Sequence, residues 1–343
     1  MEPPVESRYS RQELFFPHGA IDQQKLGKSR VVVLGCGALG TVVAGHLARA
    51  GVGQLRIVDR DFVDSTNLQR QTLFDEADVA DAMPKAVAAQ RKLRLINSSI
   101  EIEALVEDFD PSNAQRLLAN VDLIMDGSDN FEARYLLNDV AVKHGLPWVY
   151  SAVVSGYGVT MTVRPGQTPC LSCVFPEQPA LGATATCDTA GVIGPIVGVV
   201  GSLAAAEALK LLVGAAEKLR VGLLWTDVWN NTVQETPLAE PDPGCRTCAR
   251  REFRYLNAES GSRTAVLCGR DAIQIRPATP ASLRLADIGS RLGGLGRVSV
   301  NDYLLQFQVG EVAMTLFPDG RAIIKGTSDP SAARSVYARY VGA

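Results

Sequence analysis

Arg30–Gly35 is a short, mainly apolar run that ends in Gly35-Cys36-Gly37-Ala38-Leu39-Gly40, and Leu39, Val42, Val43, Leu47 and Ala50 then recur at helical spacing up to Gly51. A strand, a glycine turn and a helix in that order form a βα unit, with the first helical amides left facing the turn. The pattern repeats downstream. Leu55–Asp59 reads as a second strand, Pro84–Ile96 as a helix opened by proline, and Ile100, Ile102, Ala104 and Val106 alternate as a third strand does. Asp122–Met125 is a buried strand leading into Asp126-Gly127-Ser128-Asp129-Asn130, followed by a helix over Phe131–His144 and strand-rich sequence from Pro147 to Arg164. Alternating strands and helices predict an α/β fold with a doubly wound, mainly parallel sheet, whose ligands collect beyond the carboxyl ends of the strands.

The chain has 343 residues, 46% of them hydrophobic, enough for one large domain and a smaller one. The division is expected at 249/250. Beyond it, Thr264–Arg276 and Arg297–Val309 are strand-like, Val312–Phe317 and Arg321–Lys325 flank the turn Pro318-Asp319-Gly320, and Ser328-Asp329-Pro330 caps a final helix through Tyr340. Residues 250–343 are therefore expected to be a small α+β domain. Gly194-Pro195 opens a helix reaching Leu212. The weakly charged run Gly191–Ala206 is shorter than the roughly 20 residues that cross a bilayer, so a buried helix is expected there. From Cys170 to about Ala190 there is no periodicity, and a long loop is expected.

Lys and Arg total 34 against 37 Asp and Glu, a balance that favours neither nucleic acid nor an anionic membrane as partner. Met1–Asp22 has acids from the start and no apolar core of the signal-peptide kind, so a cytoplasmic location is expected. In a reducing compartment the pairs Cys170/Cys173 and Cys245/Cys248 favour tetrahedral zinc with no open position over disulfides; a redox CxxC is the rival reading.

The glycine loop alone fits NAD, FAD and ATP sites equally, and Asp59 at the end of the second strand suits a dehydrogenase as well. The cations beyond it, Arg70 and Lys85, separate these readings, because a triphosphate attacked by an anion needs extra positive charge. Asp129, at the carboxyl end of a strand, suits Mg2+, which takes one or two carboxylates together with phosphate oxygens. The plain alternative for Asp129 is an N-cap of the helix beginning at Phe131.

Read in order, Arg8-Tyr9-Ser10-Arg11-Gln12, the loop Gly35–Gly40, Asp59, Thr66-Asn67-Leu68-Gln69-Arg70-Gln71, Pro84-Lys85, Ser128-Asp129-Asn130, both CxxC pairs, and Cys187 ahead of Ala190–Pro195 resemble the MoeB/ThiF-type adenylyltransferases, relatives of ubiquitin-activating enzymes. The resemblance covers about residues 7–250. It implies ATP-dependent adenylylation of the C-terminal Gly-Gly carboxylate of a ubiquitin-like sulfur-carrier protein, in a molybdopterin, thiamine or tRNA-thiolation pathway. It also implies that Gly35, Gly37, Ala38 and Gly40 cradle the nucleotide and Asp59 binds the ribose. Asn67, Arg70 and Lys85 would contact the triphosphate, and Asp129, beside Asn130, would hold magnesium. Arg11 would reach into the partner subunit's site, making a homodimer part of the mechanism. Cys187 is implied as an acceptor in some members and is dispensable in others. Residues 250–343 carry no rhodanese active-site loop, so any sulfur would come from a separate sulfurtransferase. Cys36 and Cys268 read as packing residues.

Overall fold

The computed structural model describes residues 7–177, 190–257, 264–267, 272–276 and 282–341. Two compact units emerge, one of Met1–Thr184 with Val192–Ala258 and one of Ala185–Gly191 with Glu259–Ala343.

The first unit is built on an eight-stranded sheet. Its strands are β1 (Arg30–Leu34), β2 (Gln54–Val58), β3 (Glu101–Leu105), β4 (Leu123–Asp126), β5 (Trp148–Val154), β6 (Tyr157–Val163), β7 (Gly222–Asp227) and β8 (Thr232–Pro237), in the order β3-β2-β1-β4-β5-β6-β7-β8. The pairs β3/β2, β2/β1, β1/β4 and β4/β5 are parallel, and β6 to β8 add an antiparallel edge. Val31–Leu34 are buried without alternation, as expected of a central strand covered on both faces. Chain order reverses at β1, with β2 on one side and β4 on the other, so a crevice opens beyond their carboxyl ends.

Gly194–Val213 is a 20-residue helix, long and apolar enough by those two measures alone to cross a membrane. Here Ile196, Val197 and Val200 are buried in one apolar cluster with Leu39 and Val42 of the helix Ala38–Ala50. A Cβ on Gly201 would come within 2.7 Å of the Val42 side chain, so the two helices approach closely because that position is glycine. The same unit continues past the second CxxC pair: Tyr255 and Leu256, in the short helix Arg254–Asn257, donate backbone hydrogen bonds to the Asp139 carboxylate.

The second unit, taken by itself, carries a six-stranded antiparallel sheet. Its strands are β9 (Thr264–Leu267), β10 (Ala272–Ile275), β11 (Arg297–Val300), β12 (Leu305–Val309), β13 (Val312–Leu316) and β14 (Ala322–Lys325), ordered β11-β12-β13-β14-β10-β9. Each of the two long strand-like stretches seen in the sequence is an antiparallel pair of strands, β9/β10 and β11/β12. The expected turn at Pro318-Asp319-Gly320 closes β13 on β14, with Leu316 opposite Ala322. Ile273, Ile288, Leu305, Phe307, Met314 and Ile324 form its core, and Asp329 caps the helix Pro330–Tyr340.

Candidate functional site

The carboxyl ends of β1, β2 and β4 are tied together by backbone hydrogen bonds. The Gly35 amide donates to the Val58 carbonyl (2.8 Å), Gly127 to Leu34 (2.8 Å) and Asp59 to Leu105 (3.1 Å). Gly35 has a positive φ of 86°, and a Cβ there would meet the Gly127 carbonyl oxygen at 2.6 Å. Glycine is thus required at this crossing both by conformation and by space. The helix Ala38–Ala50 starts at Gly37 without a side-chain cap, so its first amides remain available to an anion at its positive end.

Asp59 closes the loop from below. Its Oδ2 accepts from the Cys36 amide (2.6 Å) and its Oδ1 from the Asp61 amide (2.7 Å). Burial pushes its carboxyl above the usual range, and the Lys85 ammonium works against that shift. Cys36 is fully buried, and the same burial raises its thiol far beyond reactivity, consistent with a packing role.

Lys85 reaches this edge because residues 62 and 63 pair with residues 83 and 84: Phe62 bridges Pro84, and the Val63 amide donates to Met83 (2.8 Å). Its side chain is only 4% exposed and its Nζ lies 3.3 Å from Asp61 Oδ2. Next to it Arg60 pairs with Asp108 (3.0 Å). Burial opposes the Arg60 charge, but Asp108, Asp61, Asp129 and Asp59 more than offset it and hold the guanidinium charged. Asn67 is buried, and half-buried Arg70 donates from Nη1 to the Thr66 carbonyl (2.8 Å).

Asp129 is not the helix cap. Asn130 takes that position, its Oδ1 accepting from the Ala133 amide at 2.8 Å. Asp129 is left exposed and makes no hydrogen bond to another described residue, within the fields of both Arg60 and Arg134. Arg134 escaped sequence reasoning. Its Nε pairs with buried Asp126 (3.2 Å), and its Nη2 donates to the Ser128 carbonyl (2.7 Å). Asp126 Oδ1 in turn accepts from the Ser128 amide (3.0 Å) and hydroxyl (2.6 Å). Burial raises the Asp126 carboxyl, and Arg134 and Ser128 work against that shift. One ion pair thus fixes the loop that presents Asp129. The helix that carries it also holds Asn138 and Asp139, so no isolated charge in an apolar run marked this arginine in the sequence.

Arg8, Tyr9 and Gln12 anchor the N-terminal segment. Arg8 donates to the Asn97 side chain, Tyr9 Oη accepts from Asn97 Nδ2 (2.8 Å) and Gln12 Nε2 donates to the Ala50 carbonyl (2.8 Å). Arg11 is exposed between them, on a helix whose Leu14 and Phe15 are 79% and 83% exposed.

The two CxxC pairs come together. Cys170 Sγ lies 3.8 Å from Cys173 Sγ and 3.7 Å from Cys245 Sγ, and Cys173 Sγ lies 3.3 Å from Cys248 Sγ. All four sulfurs fall within 4.8 Å of one another. Four thiolates about 2.3 Å from a central zinc stand about 3.8 Å apart, so the donor set and spacing fit a closed tetrahedral site. No pair is a disulfide. Cys187 and Cys268 lie outside the described residues.

A model described as the ThiF family matches residues 9–247. The chain is 44% identical over 337 residues to a sulfur carrier protein ThiS adenylyltransferase of Bacillus subtilis, covering 98% of this chain and 99% of the relative. It is 40% identical over 241 residues to a SAMP-activating enzyme E1 of Haloferax volcanii, covering 70% and 88%. Among solved structures, E. coli MccB with ATP superposes with a TM-score of 0.64 at 24% identity, over 71% of this chain and 75% of that one, a likeness in fold.

Proposed function

The chain belongs to the ThiF family, and on that premise we propose that it is an adenylyltransferase that joins AMP from ATP to the C-terminal Gly-Gly carboxylate of a ubiquitin-like sulfur carrier. The observation that carries this reading is the gathering of the glycine-loop amides, Asp59, buried Lys85 and uncommitted Asp129 beyond the carboxyl ends of the central parallel strands. A hydride-transfer site would leave Lys85 and Asp129 without a task.

In the proposed reaction a carboxylate oxygen attacks the α-phosphorus. The bond from that phosphorus to the bridging oxygen breaks, and pyrophosphate leaves with the electron pair. Both reactants are anions, so fixed positive charge at the reacting phosphate lowers the barrier most. Lys85 and Arg70 supply it from this chain, and Asp59 holds the ribose. Magnesium, held by Asp129, would neutralise charge on the phosphate oxygens. Lys85 is already oriented by Asp61, which limits the reorganisation needed when the triphosphate arrives.

Exposed Arg11, flanked by tethered neighbours and followed by exposed Leu14 and Phe15, supports a homodimer in which this arginine serves the partner's site. The tetracysteine cluster is assigned to structural zinc, a chemistry suited to the reducing cytoplasm. Cys187 remains the candidate thiolate for attack on the acyl-adenylate carbonyl, with AMP leaving. A separate sulfurtransferase is the proposed sulfur source.

A ThiS-type carrier is the first to test, because the Bacillus relative matches along almost the whole chain. Labelled pyrophosphate should enter ATP when enzyme, carrier and Mg2+ are all present, and omission of the carrier should abolish exchange. Exchange equal with and without carrier would count against this substrate.

A further inference from the structure

The helix Phe131–His144 buries two adjacent polar residues, Asn138 and Asp139, 0% and 1% exposed, amid Tyr135, Leu136, Leu137, Val140, Ala141 and Val142. Buried polar side chains are retained at a cost unless their hydrogen bonds are made. These two make theirs to the two cysteine knuckles. Asn138 Oδ1 accepts from the Leu171 amide (3.0 Å) and its Nδ2 donates to Ser172 Oγ (3.3 Å), both inside the Cys170–Cys173 pair. Asp139 Oδ1 accepts from Thr247 Oγ1 (3.5 Å), inside the Cys245–Cys248 pair, while its Oδ2 holds the amides of Tyr255 and Leu256. Ser172 Oγ and Thr247 Oγ1 then meet at 3.1 Å.

Every one of these cross-knuckle contacts joins residues 75 apart: Cys170 to Cys245, Ser172 to Thr247 and Cys173 to Cys248. The knuckles therefore face each other position for position, and the hydroxyl pair forms a polar rung between two sulfur contacts. None of the four polar side chains is itself a ligand of the kind that the thiolates supply.

We propose that Asn138, Asp139, Ser172 and Thr247 are positioning residues for the tetrathiolate metal site, holding the two knuckles in register so that all four sulfurs converge on one ion. This rests on the zinc assignment above. Partners beyond the ligands orient them, and losing one commonly weakens metal binding about 10- to 100-fold. Closing the loop between Cys173 and Cys245 has an entropic cost, and a prebuilt hydroxyl rung, held by Asn138 and Asp139 of the helix, removes part of it from the binding step.

The test uses the full-length, zinc-loaded protein, with metal content measured by mass spectrometry and release timed with a chromogenic chelator. Asn138→Ala and Thr247→Val should release zinc about 10-fold faster or more. Thr247→Ser, which keeps the hydroxyl but loses the methyl, should stay near the parent rate. A packing role would give the opposite order, because Val preserves the volume of Thr and Ser does not. Glu132→Ala, an exposed change on the same helix, should leave release unaltered. If Asn138→Ala does not fold, the Val and Ser variants at position 247 decide the matter. Parent-like release from Thr247→Val, or release from Thr247→Ser as fast as from Val, overturns the proposal. A parent protein that takes up no zinc overturns the metal assignment and this proposal together.

Discussion

Asp129→Ala should lower carrier-dependent pyrophosphate exchange by about 100- to 1000-fold, the loss that follows removal of one preorganised charge-stabilising group, and should leave thermal stability nearly untouched. Both halves come from one observation. The carboxylate is exposed and makes no hydrogen bond to another described residue, so the fold does not depend on it. Surface changes of that kind usually alter stability by no more than about 0.5 kcal/mol. Asn130, one residue on, caps the helix and keeps doing so in the variant. Asp129→Asn retains an oxygen donor but not the charge, so its exchange rate should fall less and its Mg2+ requirement should move to higher concentration. Exchange by Asp129→Ala at the parent rate would remove this residue from the site.

Arg134→Leu should do the reverse and damage the fold first. It strands Asp126, which is fully buried, beside an apolar side chain. Breaking a buried ion pair from one side costs about 3–5 kcal/mol, because the remaining charge has neither water nor a counter-ion, only the two hydrogen bonds from Ser128. In a unit of roughly 250 residues each kcal/mol lowers the melting midpoint by about 2–4 °C, so a fall of about 10 °C is expected. Adding Asp126→Asn removes the orphaned charge and should recover much of that stability. Exchange should nevertheless stay low, because the Ser128 carbonyl still lacks the donor that holds the loop before Asp129. Recovery of both stability and exchange in the double variant would show that Arg134 acts only through the fold.

These two residues also mark how far the sequence could be read. The strand, glycine turn and helix at Arg30–Ala50 were legible because their signals are local: an apolar run, a turn residue and a 3.6-residue period. The cysteine cluster was legible through spacing, since two CxxC pairs announce one chemistry even when 75 residues separate them. Arg134 was not legible. Its partner lies eight residues back, across a loop whose path only the folded sheet determines, and nothing in the spacing says that a helical arginine turns inward. The Arg60–Asp108 pair was hidden for a similar reason, being created by the parallel register of β2 beside β3. Whether Asp129 or Asn130 caps the helix was a difference of one residue, below what sequence signals resolve. In the second unit the strand-like stretches were visible, while their breaks into pairs depended on turns with weak signals.

The most direct measurement of the proposed activity is the intact mass of the carrier. Purified protein is mixed with a ThiS-type carrier ending in Gly-Gly, ATP and Mg2+, and the carrier is weighed before the adenylate hydrolyses. Addition of a single AMP is the expected result, absent when ATP or Mg2+ is withheld and absent for a carrier lacking its last two glycines. A carrier of unchanged mass under the complete mixture, from a protein that binds NAD tightly and ATP not at all, would contradict it.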